Sequence, residues 1–103
     1  MTRLEQLLHF LEQEPNDPFL IYAIATEYKS MNELEKALMT FQSLMENHPE
    51  YVPTYYHLGK TLEALNRNEE AIEVYEKGIA VAMKMKDQHS ARELREALQQ
   101  LTF

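Results

Sequence analysis

The sequence predicts an all-α fold: one short solenoid of antiparallel helix pairs, about six helices in all. Three observations lead there. Only two of 103 residues are glycine, and Leu, Ala, Glu, Lys and Gln are abundant, a composition that favours helix. Apolar residues recur at i, i+3, i+4 and i+7, as in Ile21, Ile24, Ala25 and Tyr28 and again in Tyr55, Leu58, Gly59 and Leu62. The chain also repeats itself with a period of 34 residues, which aligns Pro15 with Pro49, Ala25 with Gly59, Ala37 with Ala71 and Phe41 with Tyr75.

The first helix is expected over about 3–14, where Thr2 and Glu5 form a T-x-x-E capping box. Its Leu4, Leu7 and Leu11 fall in register with Leu38, Phe41 and Met45 and then with Ile72, Tyr75 and Ile79, so it reads as the second half of a repeat. Pro15 stops it. Asp17-Pro18 opens the second helix, since a proline in the first turn lacks only a donor that would be orphaned anyway. Asn32 closes that helix, asparagine being the non-glycine residue most tolerant of the left-handed conformation at a helix end. The third helix carries Leu34, Ala37, Leu38, Phe41, Leu44 and Met45, and Pro49 ends it. Val52-Pro53 opens the fourth and Asn66 closes it. The fifth buries Ala71, Ile72, Tyr75 and Ile79. Met83 stands where proline is expected, so this helix is predicted to run on to about Lys86, with Lys84 and Lys86 favouring its C-terminal end. Asp87 starts the last helix. Its apolar stripe is Ala91, Leu94, Leu98 and Leu101, and Arg92, Glu93, Arg95, Glu96, Gln99 and Gln100 form a wet outer face suited to a cap. Tyr28, Phe41, Tyr55 and Tyr75 are expected in the core.

These residues resemble the tetratricopeptide repeat (TPR), whose pattern is W-x2-L-G-x2-Y, then A-x3-F, then P, a resemblance that implies a right-handed α-solenoid. The first copy, about 18–51, reads Ile21-x2-Ile24-Ala25-x2-Tyr28, Ala37-x3-Phe41, Pro49. The second, about 52–85, reads Tyr55-x2-Leu58-Gly59-x2-Leu62, Ala71-x3-Tyr75. Residues 1–17 form an N-terminal half-repeat and 86–103 a C-terminal capping helix, all within one domain. Small residues at 25, 37, 59, 71 and 78 let paired helices approach closely.

Little of the chain points to chemistry. A formal net charge of −7 disfavours nucleic acid and anionic membranes, which need clustered Lys and Arg. There is no cysteine, and the N-terminus has charges threaded through it, so neither a secretory leader nor a membrane span is expected and a cytoplasmic location is. His9, His48, His57 and His89 have no metal-ligand spacing. The glycines belong to no phosphate-cradling loop. No catalytic residue, metal or cofactor is expected.

Phe19, Tyr22, Thr26 and Lys29 share one face of the second helix, and Pro53, Tyr56, Lys60 and Glu63 are their counterparts on the fourth. The resemblance implies that this face lines a concave groove for a partner peptide, making Phe19, Tyr22, Thr26, Lys29, Tyr56, Lys60 and Glu63 the candidate site. Lying off the packing stripes, Tyr22 and Tyr56 are expected to contribute little to stability. Lys60, an isolated cation beside two tyrosines, hints at a ligand carboxylate, a hint tempered by Glu63 one turn away. The clamp that some relatives use for chaperone C-terminal carboxylates is not expected, because Tyr22, Thr26, His57, Asp87 and Ala91 occupy its positions. The expected function is non-enzymatic protein binding, with a homo-oligomerising structural role as the alternative.

Overall fold

The computed structural model describes residues 1–102. Among them are six α-helices and no strand: α1 (Arg3–Gln13), α2 (Pro18–Ser30), α3 (Leu34–Asn47), α4 (Pro53–Ala64), α5 (Asn68–Lys84) and α6 (Gln88–Thr102). Each helix packs on the next, and α2, α4 and α6 also touch in sequence along one side of the stack. The result is an elongated body of 43 × 29 × 19 Å.

The punctuation follows local chemistry. Thr2 and Glu5 cap α1 reciprocally, at 3.1 and 2.9 Å. The Asp17 carboxylate accepts from the Phe19 N–H at 2.9 Å and Pro18 opens α2, while Pro53 opens α4. Asn32 and Asn66 adopt φ of 61° and 62°, so each turn closes as the asparagine predicts. The following N–H reaches back over the helix end, Glu33 to the Tyr28 carbonyl at 2.9 Å and Arg67 to the Leu62 carbonyl at 2.8 Å.

The end of α5 differs from expectation. The helix stops at Lys84, and Lys86, instead of extending it, takes the left-handed conformation with φ of 60°. The Asp87 N–H then bonds the Ala82 carbonyl at 2.8 Å, so the same closing turn is built with a lysine where the earlier turns use asparagine. Asp87 goes on to cap α6, accepting from the Ser90 N–H at 3.0 Å and the Ser90 hydroxyl at 2.7 Å. These bonds hold its carboxyl below the usual range.

The main core holds Ala25, Ala37, Phe41, Tyr55, Ala71 and Tyr75, all fully buried. Leu7 joins Ala23 and Ile24 in a smaller cluster under α1. Tyr28 is only half-buried, packing at the edge of both clusters, because α1 covers just part of it. In α6 the buried stripe is Ala91, Leu94 and Ala97; Leu98 and Leu101 are half-buried. The small residues act as foreseen. A methyl group on Gly59 would lie 2.1 Å from Cε1 of Tyr75, and one on Gly78 would lie 2.5 Å from Cβ of Tyr55.

Candidate functional site

The helix stack sets α2, α4 and α6 side by side, and a cavity of about 280 Å³ opens along their shared face. Its floor is His57, stacked on the buried Phe41 at 6.2 Å and 13°. Tyr22 and Tyr56 stand steeply on that floor, at 68° and 82° to the imidazole, with centroids 5.4 and 5.5 Å away. Ser90, Glu93 and Leu94 of α6 form the far wall, and Val52 and Pro53 close one end. Tyr22, Tyr56 and Ser90 are 34 residues apart, so three turns at equivalent positions deliver the three walls.

Burial sets the electrostatics. His57 is held below its ordinary pKa, first by burial and then by the Lys29 cation, with Glu93 acting in the opposite sense. Burial raises the Tyr22 hydroxyl. Lys29 is pushed down by burial and by Lys60, and Glu63 partly offsets this.

The expected site residues fall into three groups. Tyr22 and Tyr56 line the cavity; Tyr56 and Lys60 also line a smaller adjoining cavity of about 90 Å³ with Glu93 and Glu96. Thr26 and Lys29 are half-buried on α2, and the Thr26 hydroxyl donates to the Ala23 carbonyl at 2.9 Å. Phe19 is exposed and lines neither of these cavities.

Two expectations are corrected. Lys60 is not an isolated cation: its Nζ lies 3.6 Å from the Glu63 carboxylate and 5.6 Å from the Tyr56 ring centroid. Glu63 in turn accepts a hydrogen bond from Tyr75, so it anchors a core residue as well as lining the face. Neither Tyr22 nor Tyr56 lies off the packing surface: both are half-buried against the main core, and the Tyr22 ring meets Phe41 at 6.4 Å and Tyr51 at 5.9 Å, so both contribute to stability.

Sequence reasoning missed His57, Ser90 and Glu93. The columns at 57 and 93 hold small residues elsewhere, Ala23 and Ala91 in one and Ala25 and Gly59 in the other. A polar residue in such a column is the signal for His57 and Glu93; the signal for Ser90 is its place in the column of Tyr22 and Tyr56. Glu93, expected on the outward face of α6, is exposed but stands at the groove wall.

Residues 21–102 match the family described as RMD1-3, Regulator of microtubule dynamics protein 1-3. A tetratricopeptide repeat domain protein from Salinibacter ruber, solved by NMR, is 42% identical over 85% of this chain and 89% of its own, with a TM-score of 0.82. The chain belongs to this family and is a TPR protein. A protein from Bordetella parapertussis is 26% identical over 98% of this chain and 88% of its own, with a TM-score of 0.85. The TPR2B domain of yeast Sti1, solved with pHsp70, shares the fold at a TM-score of 0.89 and 15% identity, over 96% of this chain and 79% of its own. No curated protein matches. The TPR motif residues now have their structural roles: Ala25, Ala37, Ala71, Phe41 and Tyr75 are fully buried in one core, and Gly59 leaves room for the Tyr75 ring. No described helix of this TPR protein is long and apolar enough to cross a membrane.

Proposed function

We propose that the protein is a non-enzymatic interaction module of the cytoplasm, a scaffold-type TPR unit that holds a partner peptide or protein in the groove of α2, α4 and α6. The observation that carries this is the half-buried aromatic cavity. Tyr22 and Tyr56 meet His57 edge-on at 5.4 and 5.5 Å, an aromatic surface for a ligand to pack on. Tyrosine in such a position gives large contact area at low conformational-entropy cost. Two structural relatives support the reading: Sti1 was solved with pHsp70, and YrrB is described as having an unusual peptide-binding site. The matched family's name, regulators of microtubule dynamics, fits a protein that acts by binding.

The test is affinity capture with the parent and with Tyr56→Ala/Lys60→Ala, both checked for helicity. Central aromatic anchors commonly contribute about 2 kcal/mol or more to binding, roughly a thirtyfold loss. Equal recovery of one partner by both proteins places the binding surface elsewhere.

One observation favours the alternative, self-association. Phe10 on α1 is 53% exposed, yet it aligns with Leu44, which is fully buried in the next copy. Light scattering at two concentrations, with Phe10→Ser as control, separates the readings. Concentration-dependent mass that vanishes in Phe10→Ser supports a homo-oligomer built on α1.

A further inference from the structure

The groove also carries information about the chemistry of what it holds. We propose that the main cavity takes the cationic side chain of an arginine or lysine on an extended partner segment, stem between Tyr22 and Tyr56 and charge on Glu93. This rests on the groove reading above and adds to it the class of ligand.

Four features lead there. Glu93 is the one acidic or basic side chain lining the cavity besides His57, and burial keeps His57 below its ordinary pKa, hence uncharged near neutrality. The Glu93 carboxylate is exposed, and among the described residues its only ion-pair neighbour is the exposed His89 at 3.6 Å, one turn back on α6. No lysine or arginine of the described chain satisfies it. The Ser90 hydroxyl donates to Asp87 at 2.7 Å, which leaves its lone pairs free to accept a further N–H. The walls are two tyrosine rings standing on an imidazole floor, a setting that attracts a cation through ring quadrupoles and suits the flat stem of arginine.

The opposite charge fits poorly. The adjoining cavity adds Glu96 beside Glu93, and its Lys60 already faces Glu63 at 3.6 Å. Lys29 acts on His57 ahead of Glu93, but it lies outside the lining of the cavity and has Glu63 in its surroundings. A ligand carboxylate at the main cavity would meet Glu93 with no free cation in the lining.

The experiment is an NMR titration of the full chain with four peptides of one backbone, acetyl-Ser-Leu-X-Leu-Ser-amide, where X is Arg, Lys, norleucine or Glu. The arginine peptide is expected to shift the backbone amides of Tyr22, Tyr56, Ser90 and Glu93. It should bind about tenfold tighter than the norleucine peptide. Glu93→Gln should lower arginine affinity to the level at which the same variant binds norleucine, closing the gap between the two peptides. Equal binding of arginine and norleucine by the parent overturns the inference while leaving the groove as a binding surface. Tightest binding by the glutamate peptide overturns it in favour of selection by Lys29 and Lys60. Absence of groove shifts with every peptide also overturns it, and the capture experiment with Tyr56→Ala/Lys60→Ala then decides the groove reading separately.

Discussion

Replacing Gly59 by alanine sets two opposed effects against each other, and the structure says which wins. Alanine in a helix interior is favoured over glycine by about 1 kcal/mol. At Gly59, however, the new Cβ would sit 2.1, 2.5 and 2.7 Å from three carbons of the Tyr75 ring. The ring must retreat by more than an ångström to reach ordinary contact, and it has nowhere to go. Tyr75 is fully buried, and its hydroxyl donates to Glu63, one turn beyond Gly59 on the same helix. That bond draws the ring across α4. Overpacking of this kind costs about 1–3 kcal/mol, with a hard clash at the upper end, so the net loss should be about 1–2 kcal/mol. The assay is urea unfolding followed by circular dichroism.

A second variant isolates the cause. In the preceding copy the equivalent pair is Ala25 and Phe41, both fully buried, so an alanine is accommodated there beside a ring without a hydroxyl. Gly59→Ala in a Tyr75→Phe background should therefore cost less than in the parent, because the ring is freed from Glu63. Gly59→Ala proving as stable as the parent, or equally costly in both backgrounds, would refute the reasoning.

Three further outcomes follow from the same structure. The folded-state pKa of His57 lies below its ordinary value of 6.5, so protonation favours the unfolded chain. The stability linked to it is present above about pH 6.5 and lost as pH falls through the lowered value; urea midpoints between pH 7 and pH 5 should fall more in the parent than in His57→Gln. Thr54 is fully buried and its hydroxyl has no partner among the described residues, so Thr54→Val should raise stability by about 1 kcal/mol, read by thermal unfolding. Ending the chain after Lys86 removes Leu94, which is 1% exposed and would alone forfeit about 1.5–3 kcal/mol; gel filtration should show association or expansion, and a compact monomer would show α6 to be dispensable.

Helix order was readable from the sequence because period and punctuation agree. Pro18, Pro53, Asn32 and Asn66 each act through a local backbone preference that needs no tertiary context. The end of α5 was not readable, since a lysine has no preference for a positive φ and takes it here at Lys86 only as α6 docks on α5. The walls of the groove were partly readable: Tyr22 and Tyr56 follow from the helical face they share. The floor was not, because His57 gains its role from stacking on Phe41, sixteen positions away in the sequence. The pairing of Lys60 was legible, as Glu63 lies three residues on and the two meet at 3.6 Å.

The central claim is that the α2–α4–α6 face binds the partner. Site-specific photo-cross-linking tests it directly: a benzophenone amino acid is placed at Tyr56 in one protein and at Met39, 68% exposed on α3, in another. Both are irradiated with the captured partner. The account predicts a cross-linked partner from position 56 and none from position 39. A partner cross-linked from position 39 alone would contradict it and move the binding surface to the second helices of the pairs.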